Sequence, residues 1–379
     1  MYNSLTHYFN YIRPGGGPAG YLFNLNEIAC NSEEVKVFFN RVEVNSQSKK
    51  IDSTNRLYYG LIMVLKSIFR RFGRLSPGFY ESLSNESMPI FHSVTDAVKF
   101  SRFRKDFLLM IHSPKEPSKE ILDAVEQAGY SKTFQRIYEY FLKREERKAI
   151  NCAYALILPD LGSMDAYYKN DETLKTLLAK KRKYIVPTGV RQLYSSKVKS
   201  EIREELSLTS TDMVIGFFGR YNEDKGYDYF CELVESNLCS KIRFISAGIG
   251  PICPVSKSNY QDLGWRTDIQ DLIKACDYVI VPNRVSYFDL IILEAYSLGV
   301  KVITTNIGGA KELPKKATFF LDVNSDVKFD FQLMKMLESH PYSSDDILNV
   351  YNENYSLKAF LGNYNLLLKN INEEKNYIR

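Results

Sequence analysis

The stretch Pro282–Gly309, PNRVSYFDLIILEAYSLGVKVITTNIGG, decides the fold that we expect for this chain. An apolar strand, Tyr278–Val281, runs into an irregular polar loop, then a helix with one acid, Glu294, then a second apolar strand, Val300–Thr304. This order predicts a βαβ unit, and open α/β sheets bind ligands at the carboxyl ends of their strands. The stretch therefore predicts an α/β domain whose polar residues form a site at one edge of the sheet.

The length and composition of the chain favour two globular domains. A chain of 379 residues is too long for one hydrophobic core, and 45% hydrophobic with 25% charged residues is typical of folded proteins. The net charge of +5 suits an anionic ligand or membrane surface, but it is far below that of a dedicated nucleic-acid binder. The N-terminus lacks a signal-peptide pattern and the chain lacks a run of about 18 apolar residues, so we expect neither secretion nor a membrane span. The six cysteines lack metal-ligand spacing, which predicts reduced core residues in a cytosolic protein.

A glycine-rich loop, Pro14–Gly20, lies between a predicted strand, Thr6–Ile12, and a predicted helix from Tyr21 to about Ala29. Strand, glycine loop and helix is an arrangement that cradles phosphate, because glycines let the backbone approach and the helix N-terminus offers free N–H groups. The spacing is not GxGxxG, so a dinucleotide site is poorly supported. A tight turn without a ligand is the alternative.

Two short apolar segments, Met88–Ser93 and Phe107–Ser113, each end in His-Ser and are predicted strands. A histidine at a strand end can contact a ligand, although a single histidine is more often structural. The prolines that follow His112 cannot continue a central strand, so we expect His112 at the carboxyl edge of the sheet.

Two predicted helices of the first half carry many charges. Arg56–Arg74 is apolar at three- and four-residue steps with five basic residues between, which fits either a helix on an anionic bilayer surface or a sheet-packed helix with a solvated basic edge. Lys132–Ile150 is most simply a solvated surface helix.

A second sheet is predicted to begin with the strand Met213–Phe218, which runs into a loop bounded by Gly219 and Gly226. Arg220 and Lys225 lie in this loop, and two cations at a strand-to-helix junction can converge on a diphosphate. A solvated charged turn is the alternative. Further along, the segment LGWRTDI carries the only tryptophan of the chain, Trp265, beside a glycine whose backbone could approach a nucleotide base.

Several motifs of the second half resemble glycosyltransferase family 4, a family of retaining enzymes with the GT-B fold. GRYNEDKG resembles the family's G-R-x-x-x-x-K-G loop, AGIGP its G-x-G-P turn, LGWRTDI its base-binding strand end, and PNRVSYFDLIILEA its E-x7-E segment. GVKVITTNIGG resembles the following strand, with Lys301 in place of the usual proline. The match covers about Met213–Gly309; PGGGPAGY, FHS, IHS and PTGV give a weaker match in the first half.

The resemblance implies roles for individual residues of this chain. Arg220 and Lys225 would neutralise the donor diphosphate, Glu294 would accept hydrogen bonds from the ribose hydroxyls, and His112 would hold the transferred sugar near its reacting carbon. The further residues implied to bind the donor are Gly16 and Gly17 in the first half, Gly219 beside Arg220, Trp265 and Arg266 through backbone contacts to the base, and the backbone N–H groups of Phe288, Asp289 and Leu290.

The chain departs from the family pattern at two positions of the same loop. Ser286 stands where the family has its first Glu, and Asp289 stands where it has the Gly of F-G-L. In the family that Glu contacts the transferred sugar, so the departure bears on sugar selectivity and on catalysis, whereas the diphosphate and ribose contacts are retained.

The resemblance implies an α/β protein of the GT-B fold, two Rossmann-like domains facing each other across a cleft with a C-terminal helix crossing back to the first domain. We expect an acceptor domain at 1–190 with the helix at about 357–379, and a nucleotide-sugar donor domain at 191–356.

The implied activity is retaining, metal-independent transfer of a sugar from a nucleotide-diphosphate sugar to a glycan or lipid-linked acceptor, in bacterial surface polysaccharide or glycoconjugate synthesis. We expect no cofactor and no metal, a UDP-sugar donor rather than a GDP-sugar, no nucleic-acid partner, and a cytoplasmic location, with peripheral contact at the inner face of an anionic membrane left open. The alternatives are a non-catalytic GT-B subunit that binds a partner glycosyltransferase or glycan, and a GT-B epimerase or phosphorylase.

Overall fold

The computed structural model describes residues 1–43, 73–113, 115–127, 129–168, 171–236, 242–322, 328–337 and 342–377. The chain forms two compact units, each built on a six-stranded parallel sheet. The first unit comprises Met1–Pro159, Asp165–Thr188 and Phe360–Arg379, and the second comprises Asp160–Met164 and Gly189–Ala359. Within the described ranges, no helix has both the length and the apolar composition needed to cross a bilayer.

The first unit alternates strands and helices, as expected for a parallel sheet. Its strands are β1 Ser4–Tyr8, β2 Tyr11–Ile12, β3 Val35–Phe38, β4 Arg41–Val42, β5 Ser87–Phe91, β6 Leu108–Met110, β7 Ala155–Leu158 and β8 Lys183–Ile185. Its helices are α1 Gly17–Ala29, α2 Pro77–Ser82, α3 Val94–Phe100, α4 Pro117–Gln127, α5 Lys132–Cys152 and α6 Glu172–Lys180. The sheet order is β3-β1-β5-β6-β7-β8, while β2 pairs with β4. The order reverses at β1, so the loops after β1 and β5 diverge there and leave a crevice at the carboxyl edge.

The second unit has the same alternation. Its strands are β9 Met213–Phe218, β10 Ile242–Ala247, β11 Tyr260–Asp262, β12 Tyr278–Val281, β13 Lys301–Thr305 and β14 Thr318–Leu321. Its helices are α7 Lys199–Glu205, α8 Tyr227–Glu235, α9 Ile269–Ala275, α10 Leu290–Ser297, α11 Phe329–Leu337 and α12 Ser344–Asn354. The sheet order β11-β10-β9-β12-β13-β14 is that of a Rossmann sheet, and its switch point lies between β9 and β12.

The strands flanking this switch point are apolar on both faces. In β12, Val279 and Val281 belong to one core cluster, whereas Tyr278 and Ile280 belong to the cluster on the opposite face. Burial on both faces is the reason that a continuous apolar run, rather than an alternating one, forms a central parallel strand here.

The last helix, α13 Leu357–Tyr377, packs on the first unit from Phe360 onward. Phe360 and Tyr364 lie in the core that also holds the central strands β1, β5 and β6. The hydroxyl groups of Tyr364 and Tyr21 are 2.5 Å apart, and the Asn372 side chain bonds both the N–H and the C=O of Tyr2 at 2.7 Å. The C-terminal helix is therefore part of the core of the first unit.

Three expectations from the sequence need comment. The predicted helix Arg56–Arg74 lies outside the described residues except at its last two positions. The helix predicted from Lys132 is present as α5, but a purely solvated helix was wrong, because Glu145 and Glu146 are buried. The expectation of core cysteines was wrong for two of the five described cysteines, because Cys30 and Cys253 are exposed; none of the five forms a disulfide.

Candidate active site

The loops that follow β9 and β12 meet at the switch point of the second unit. Gly226 ends the first loop with φ +65°, and a Cβ atom there would lie 1.7 Å from the carbonyl oxygen of Pro282 in the second loop. The Arg284 N–H also donates to the Asp224 carbonyl at 3.0 Å. Only glycine permits this approach, so the chemistry-bearing residues of the two loops are fixed beside each other.

The two predicted cations of the first loop have different surroundings. Gly219 continues β9 by donating its N–H to Ala247 at 3.2 Å, and the exposed guanidinium of Arg220 forms no ion pair within the described ranges. Lys225 is half-buried, and its backbone N–H donates to the Asn222 side chain at 3.1 Å. Arg220 is thus open to an anionic ligand, whereas Lys225 is positioned by the turn.

A layer of buried hydroxyl groups supports this loop. The Tyr221 ring stacks on Tyr227 with centroids 3.9 Å apart, and the Tyr221 hydroxyl donates to Asp262 at 2.6 Å and bonds Ser246 at 2.7 Å. Tyr260 bonds the same Ser246 hydroxyl at 2.7 Å. These bonds join the loop after β9 to β10 and β11, so the backbone that carries Arg220 is fixed in place.

Asp289 is the centre of the hydrogen bonding in the second loop. Its carboxylate forms an ion pair with the Lys225 ammonium, accepts from the Asn283 amide, and accepts from the Ser286 hydroxyl at 2.9 Å. Asn283 is 2% and Ser286 6% exposed. Asp289 precedes α10, yet its carboxylate makes no cap bond to that helix. The Asp289 side chain thus links Lys225, Asn283 and Ser286 within the site, whereas the family resemblance implied a role only for its backbone N–H.

Glycines also fix the backbone around Ser286 and Phe288. A Cβ atom on Gly308, which has φ +52°, would lie 1.9 Å from the Ser286 carbonyl oxygen. The Ser163 hydroxyl donates to the Tyr287 carbonyl at 2.9 Å, while Phe288 and Leu290 pack against the core. The loop after β12 is therefore packed closely against Gly308 and Gly309.

Glu294 lies on α10, one turn after its start. The side chain is half-buried, and burial raises the pKa of its carboxyl group. Within the described ranges, this carboxylate forms no hydrogen bond or ion pair with another side chain. A carboxylate held in this way has its acceptor capacity available for the hydroxyl groups of a ligand.

Trp265 and Arg266 follow β11 on the outer side of the same carboxyl edge. Trp265 is 68% exposed, and the Arg266 Nε donates to Asp268 at 2.7 Å. The carbonyl of Gly264 accepts from the Gly248 N–H at 2.8 Å, which ties this strand end to the loop after β10. The indole face is therefore available for stacking.

In the first unit, the glycine loop leads directly into α1. The helix begins at Gly17, four residues before the sequence predicted, with Gly16 as its N-cap. Gly15 and Gly17 have φ +110° and +71°. One turn into α1, the ring of Tyr21 packs against the ring of His112 with centroids 4.8 Å apart. Gly16, Gly17 and His112 are thus brought to one region of this unit.

His112 is the end of a chain of three imidazole rings. The His7 Nδ1 lies 2.9 Å from the His92 Nε2, and the His92 Nδ1 lies 2.7 Å from the His112 Nε2. Burial lowers the pKa of His7 and of His112 to about 3, and it lowers the pKa of His92 well below its usual range. His7 could not be singled out from the sequence, because it lies within an apolar strand rather than after one.

The structure thus gathers Arg220, Lys225, Ser286, Asp289 and Glu294 at the switch point of the second unit, with Trp265 and Arg266 two strands away. Gly16, Gly17 and His112 lie together in the first unit. In the part of the chain that the structure describes, no group of His, Cys, Asp or Glu side chains is arranged to hold a metal ion.

Part of the second unit is similar to a known protein family. Residues 212–338 match the model of the family described as glycosyl transferases group 1. A curated relative, the UDP-Gal:α-D-GlcNAc-diphosphoundecaprenol α-1,3-galactosyltransferase of Escherichia coli, is 29% identical over 197 residues. The alignment covers 47% of this chain and 49% of the relative, so the chain spans about half the length of this relative.

Solved structures match nearly the whole chain. Sucrose-phosphate synthase from Thermosynechococcus elongatus superposes with a TM-score of 0.64 at 14% identity, over 99% of this chain and 100% of that one. The Anabaena protein HepE in complex with UDP superposes with a TM-score of 0.57 at 15% identity, over 98% and 100%. The chain therefore has the GT-B fold expected from its motifs.

Proposed function

We propose that this protein is a retaining, metal-independent glycosyltransferase. It would move a sugar from a nucleotide-diphosphate donor, a UDP-sugar in the first instance, to a hydroxyl of a glycan or lipid-linked acceptor in bacterial surface polysaccharide or glycoconjugate synthesis. The Escherichia coli relative is named for transfer from UDP-Gal to a diphosphoundecaprenol-linked sugar, and the HepE neighbour was solved with UDP.

The observation that carries the proposal is the arrangement at the switch point of the second unit. An exposed Arg220, a turn-bound Lys225 and a Glu294 carboxylate without a partner among the described residues lie at the carboxyl edge, where a Rossmann sheet binds its nucleotide. Cations suit a diphosphate and a carboxylate suits ribose hydroxyls, so the three side chains fit the two parts of one nucleoside diphosphate.

These residues can perform the chemistry of transfer. The bond from the anomeric carbon to the diphosphate oxygen breaks, and negative charge grows on the leaving diphosphate. Arg220 and Lys225 stabilise that charge more in the transition state than in the ground state. The acceptor oxygen then bonds the anomeric carbon on the face that the diphosphate leaves, and a diphosphate oxygen takes the acceptor proton. Charge stabilisation by fixed side-chain cations is the physical basis for expecting independence of metal ions.

The test is sugar transfer by the purified protein with uridine, guanosine and adenosine diphosphate sugars. Lys225→Ala and Arg220→Ala should each lower kcat about 10²–10³-fold, the usual cost of removing a group that stabilises developing charge. Lys197→Ala is the matched control, because Lys197 pairs with Glu205 on the surface of the same unit. Full activity of both site variants would overturn the proposed roles.

A non-catalytic GT-B subunit is the second candidate. The observation that favours it is the Lys225–Asp289 ion pair, which engages a cation that the donor would need. Isothermal titration separates the two candidates, because a subunit that has lost the donor site binds no nucleotide sugar.

A further inference from the structure

A short segment, Asp160–Met164, follows β7 in the sequence and packs within the second unit. Its backbone forms a tight turn, in which the Asp160 carboxylate accepts the Gly162 N–H at 2.5 Å and the Asp160 carbonyl accepts the Ser163 N–H at 3.3 Å. Asp160 is 6% exposed and Ser163 is 1% exposed. The turn is therefore a buried, internally hydrogen-bonded part of the second unit, although the residues on both sides of it in the sequence belong to the first.

Glycines allow this turn to lie directly on the loop after β12. A Cβ atom on Gly162 would lie 2.2 Å from the carbonyl oxygen of Gly308. A Cβ atom on Gly309 would lie 2.0 Å from the carbonyl oxygen of Tyr287 and 2.8 Å from the Ser163 Oγ. Only glycine fits at such distances, so the turn and the loop pack backbone against backbone. Within this contact the Ser163 hydroxyl donates to the Tyr287 carbonyl at 2.9 Å, which ties the turn to the loop.

This bond reaches the loop between its two polar side chains. Ser286 precedes Tyr287, Asp289 follows two residues later, and the Ser286 hydroxyl donates to the Asp289 carboxylate at 2.9 Å. Because a peptide unit is planar, a bond that holds the Tyr287 carbonyl also fixes the plane that leads to Phe288. A fixed plane so close to Asp289 leaves few backbone rotations by which its carboxylate could leave Lys225.

The ion pair depends on a carboxylate that is held in place. The Lys225 backbone is anchored by its bond to Asn222, but the Lys225 side chain is 34% exposed, whereas the Asp289 side chain is 15% exposed. A long, partly exposed lysine side chain has several rotamers, and holding one of them costs conformational entropy. The pair therefore persists only while the loop keeps Asp289 within reach.

We propose that Ser163 is a positioning residue of the candidate active site, which holds Asp289 against Lys225 through the Tyr287 carbonyl. Ser163 thereby sets how much of the Lys225 charge is available to an anionic ligand. That this ligand is a nucleoside diphosphate rests on the function proposed above, whereas the coupling of Ser163 to Asp289 does not.

A double-mutant cycle with Ser163→Ala and Asp289→Asn tests the coupling in the full-length protein without added nucleotide. If Ser163 acts through Asp289, the melting temperature of the double variant falls by less than the sum of the two single losses, whereas independent effects add. Ser236→Ala is the matched control, because the Ser236 hydroxyl donates to the backbone carbonyl of Leu233 at 2.7 Å at the end of α8. Its loss should add to that of Asp289→Asn. Additive losses for Ser163→Ala would overturn the positioning role.

Isothermal titration with UDP, GDP and ADP measures the availability of Lys225. Ser163→Ala should lower the Kd of the nucleoside diphosphate that binds by about threefold, because a loosened Asp289 competes less for the ammonium. In the Asp289→Asn background the same change should leave Kd unaltered, which a merely structural role does not require. Unchanged or weaker binding by Ser163→Ala alone would overturn the proposal. A wild-type protein that binds none of the three nucleotides would overturn the proposed function, and the thermal cycle would still decide the coupling.

Ser163→Cys keeps the test decisive if the alanine variant fails to fold. A thiol is a weaker donor on a side chain of similar shape, so the melting temperature and the Kd should lie between those of the wild type and those expected for alanine. A cysteine variant whose loss of stability adds to that of Asp289→Asn would overturn the proposal.

Discussion

Replacing Asp289 by asparagine should strengthen nucleotide binding and weaken the fold at the same time. The Asp289 carboxylate neutralises Lys225, so the diphosphate of the proposed donor would have to compete for that ammonium. A phosphate bonded to the same ammonium would lie about 5–6 Å from the carboxylate, where two like charges repel by about 1 kcal/mol at an effective dielectric constant of about 60. Releasing a partly exposed ion pair adds roughly 0.2–1 kcal/mol. The sum, about 1.2–2 kcal/mol, predicts that the Kd of a nucleoside diphosphate falls about 8–30-fold.

The fold responds in the opposite direction. Asp289 accepts hydrogen bonds from Lys225, Asn283 and Ser286, and an asparagine accepts them through one neutral oxygen only. We expect a loss of about 1–2 kcal/mol in the free energy of unfolding, which lowers the melting temperature by about 2–8 °C in a domain of this size.

Isothermal titration with UDP, GDP and ADP, together with thermal unfolding, measures both effects. Glu205→Gln removes a carboxylate of the same charge from the surface pair with Lys197 and is the matched control for net charge. The gain in affinity for Asp289→Asn should shrink as salt rises from about 50 to 500 mM, because exposed charges are then screened. Unchanged or weaker binding by Asp289→Asn, or an equal gain in the control, would refute the competition for Lys225.

Two further carboxylates link stability to pH. Because burial raises the pKa of Glu294, the native state binds this proton more tightly than the unfolded state, and the free energy of unfolding falls as pH rises through the raised pKa. Glu294→Gln should therefore raise the melting temperature at neutral pH and weaken nucleotide binding. An unchanged affinity in calorimetry would contradict the ribose contact. Burial also raises the pKa of Glu146 to about 7, and the Ser118 hydroxyl donates to it at 2.7 Å. The stability of the fold should therefore fall by about 3 kcal/mol as pH rises from about 4.5 to 7, because the buried Glu146 carboxyl group loses its proton over this range. Glu146→Gln should flatten the pH dependence of urea unfolding without changing activity. An unaltered profile would show that the burial of Glu146 carries no such cost.

The strands around the site were predictable because their burial is continuous. Met213–Phe218 and Tyr278–Val281 have the predicted bounds, since each is an apolar run stopped by Gly219 or Pro282, residues that do not continue a central strand. The helix Ser344–Asn354 was not predicted, because its polar surface gives little periodic signal, although Ser343 and Asp346 form a capping box at its start.

Side-chain pairing could not be read from the sequence. Lys225 and Asp289 are separated by 64 residues, and His7 and His92 by 85, so only the sheet order brings each pair together. Nor could the burial of Glu146 be foreseen, because a charged residue on an amphipathic helix is most often solvated. The residue types at the site were visible in the motifs, whereas the partners that decide their charge and tautomer were not.

Ser286 and Asp289, the two residues that differ from the family 4 motif that this loop resembles, are joined by one hydrogen bond. The Ser286 hydroxyl donates to the Asp289 carboxylate at 2.9 Å, and both are held against Gly308 and Lys225. A glutamate at 286 would place a second carboxylate beside Asp289 on a poorly solvated loop, and two such groups cannot both stay ionised without cost. The serine is therefore the residue type that an aspartate at 289 requires. The loop keeps one acid, three residues later and paired with Lys225. Under the proposed function, selectivity for the transferred sugar is therefore to be sought in substitutions of Asp289 as well as Ser286.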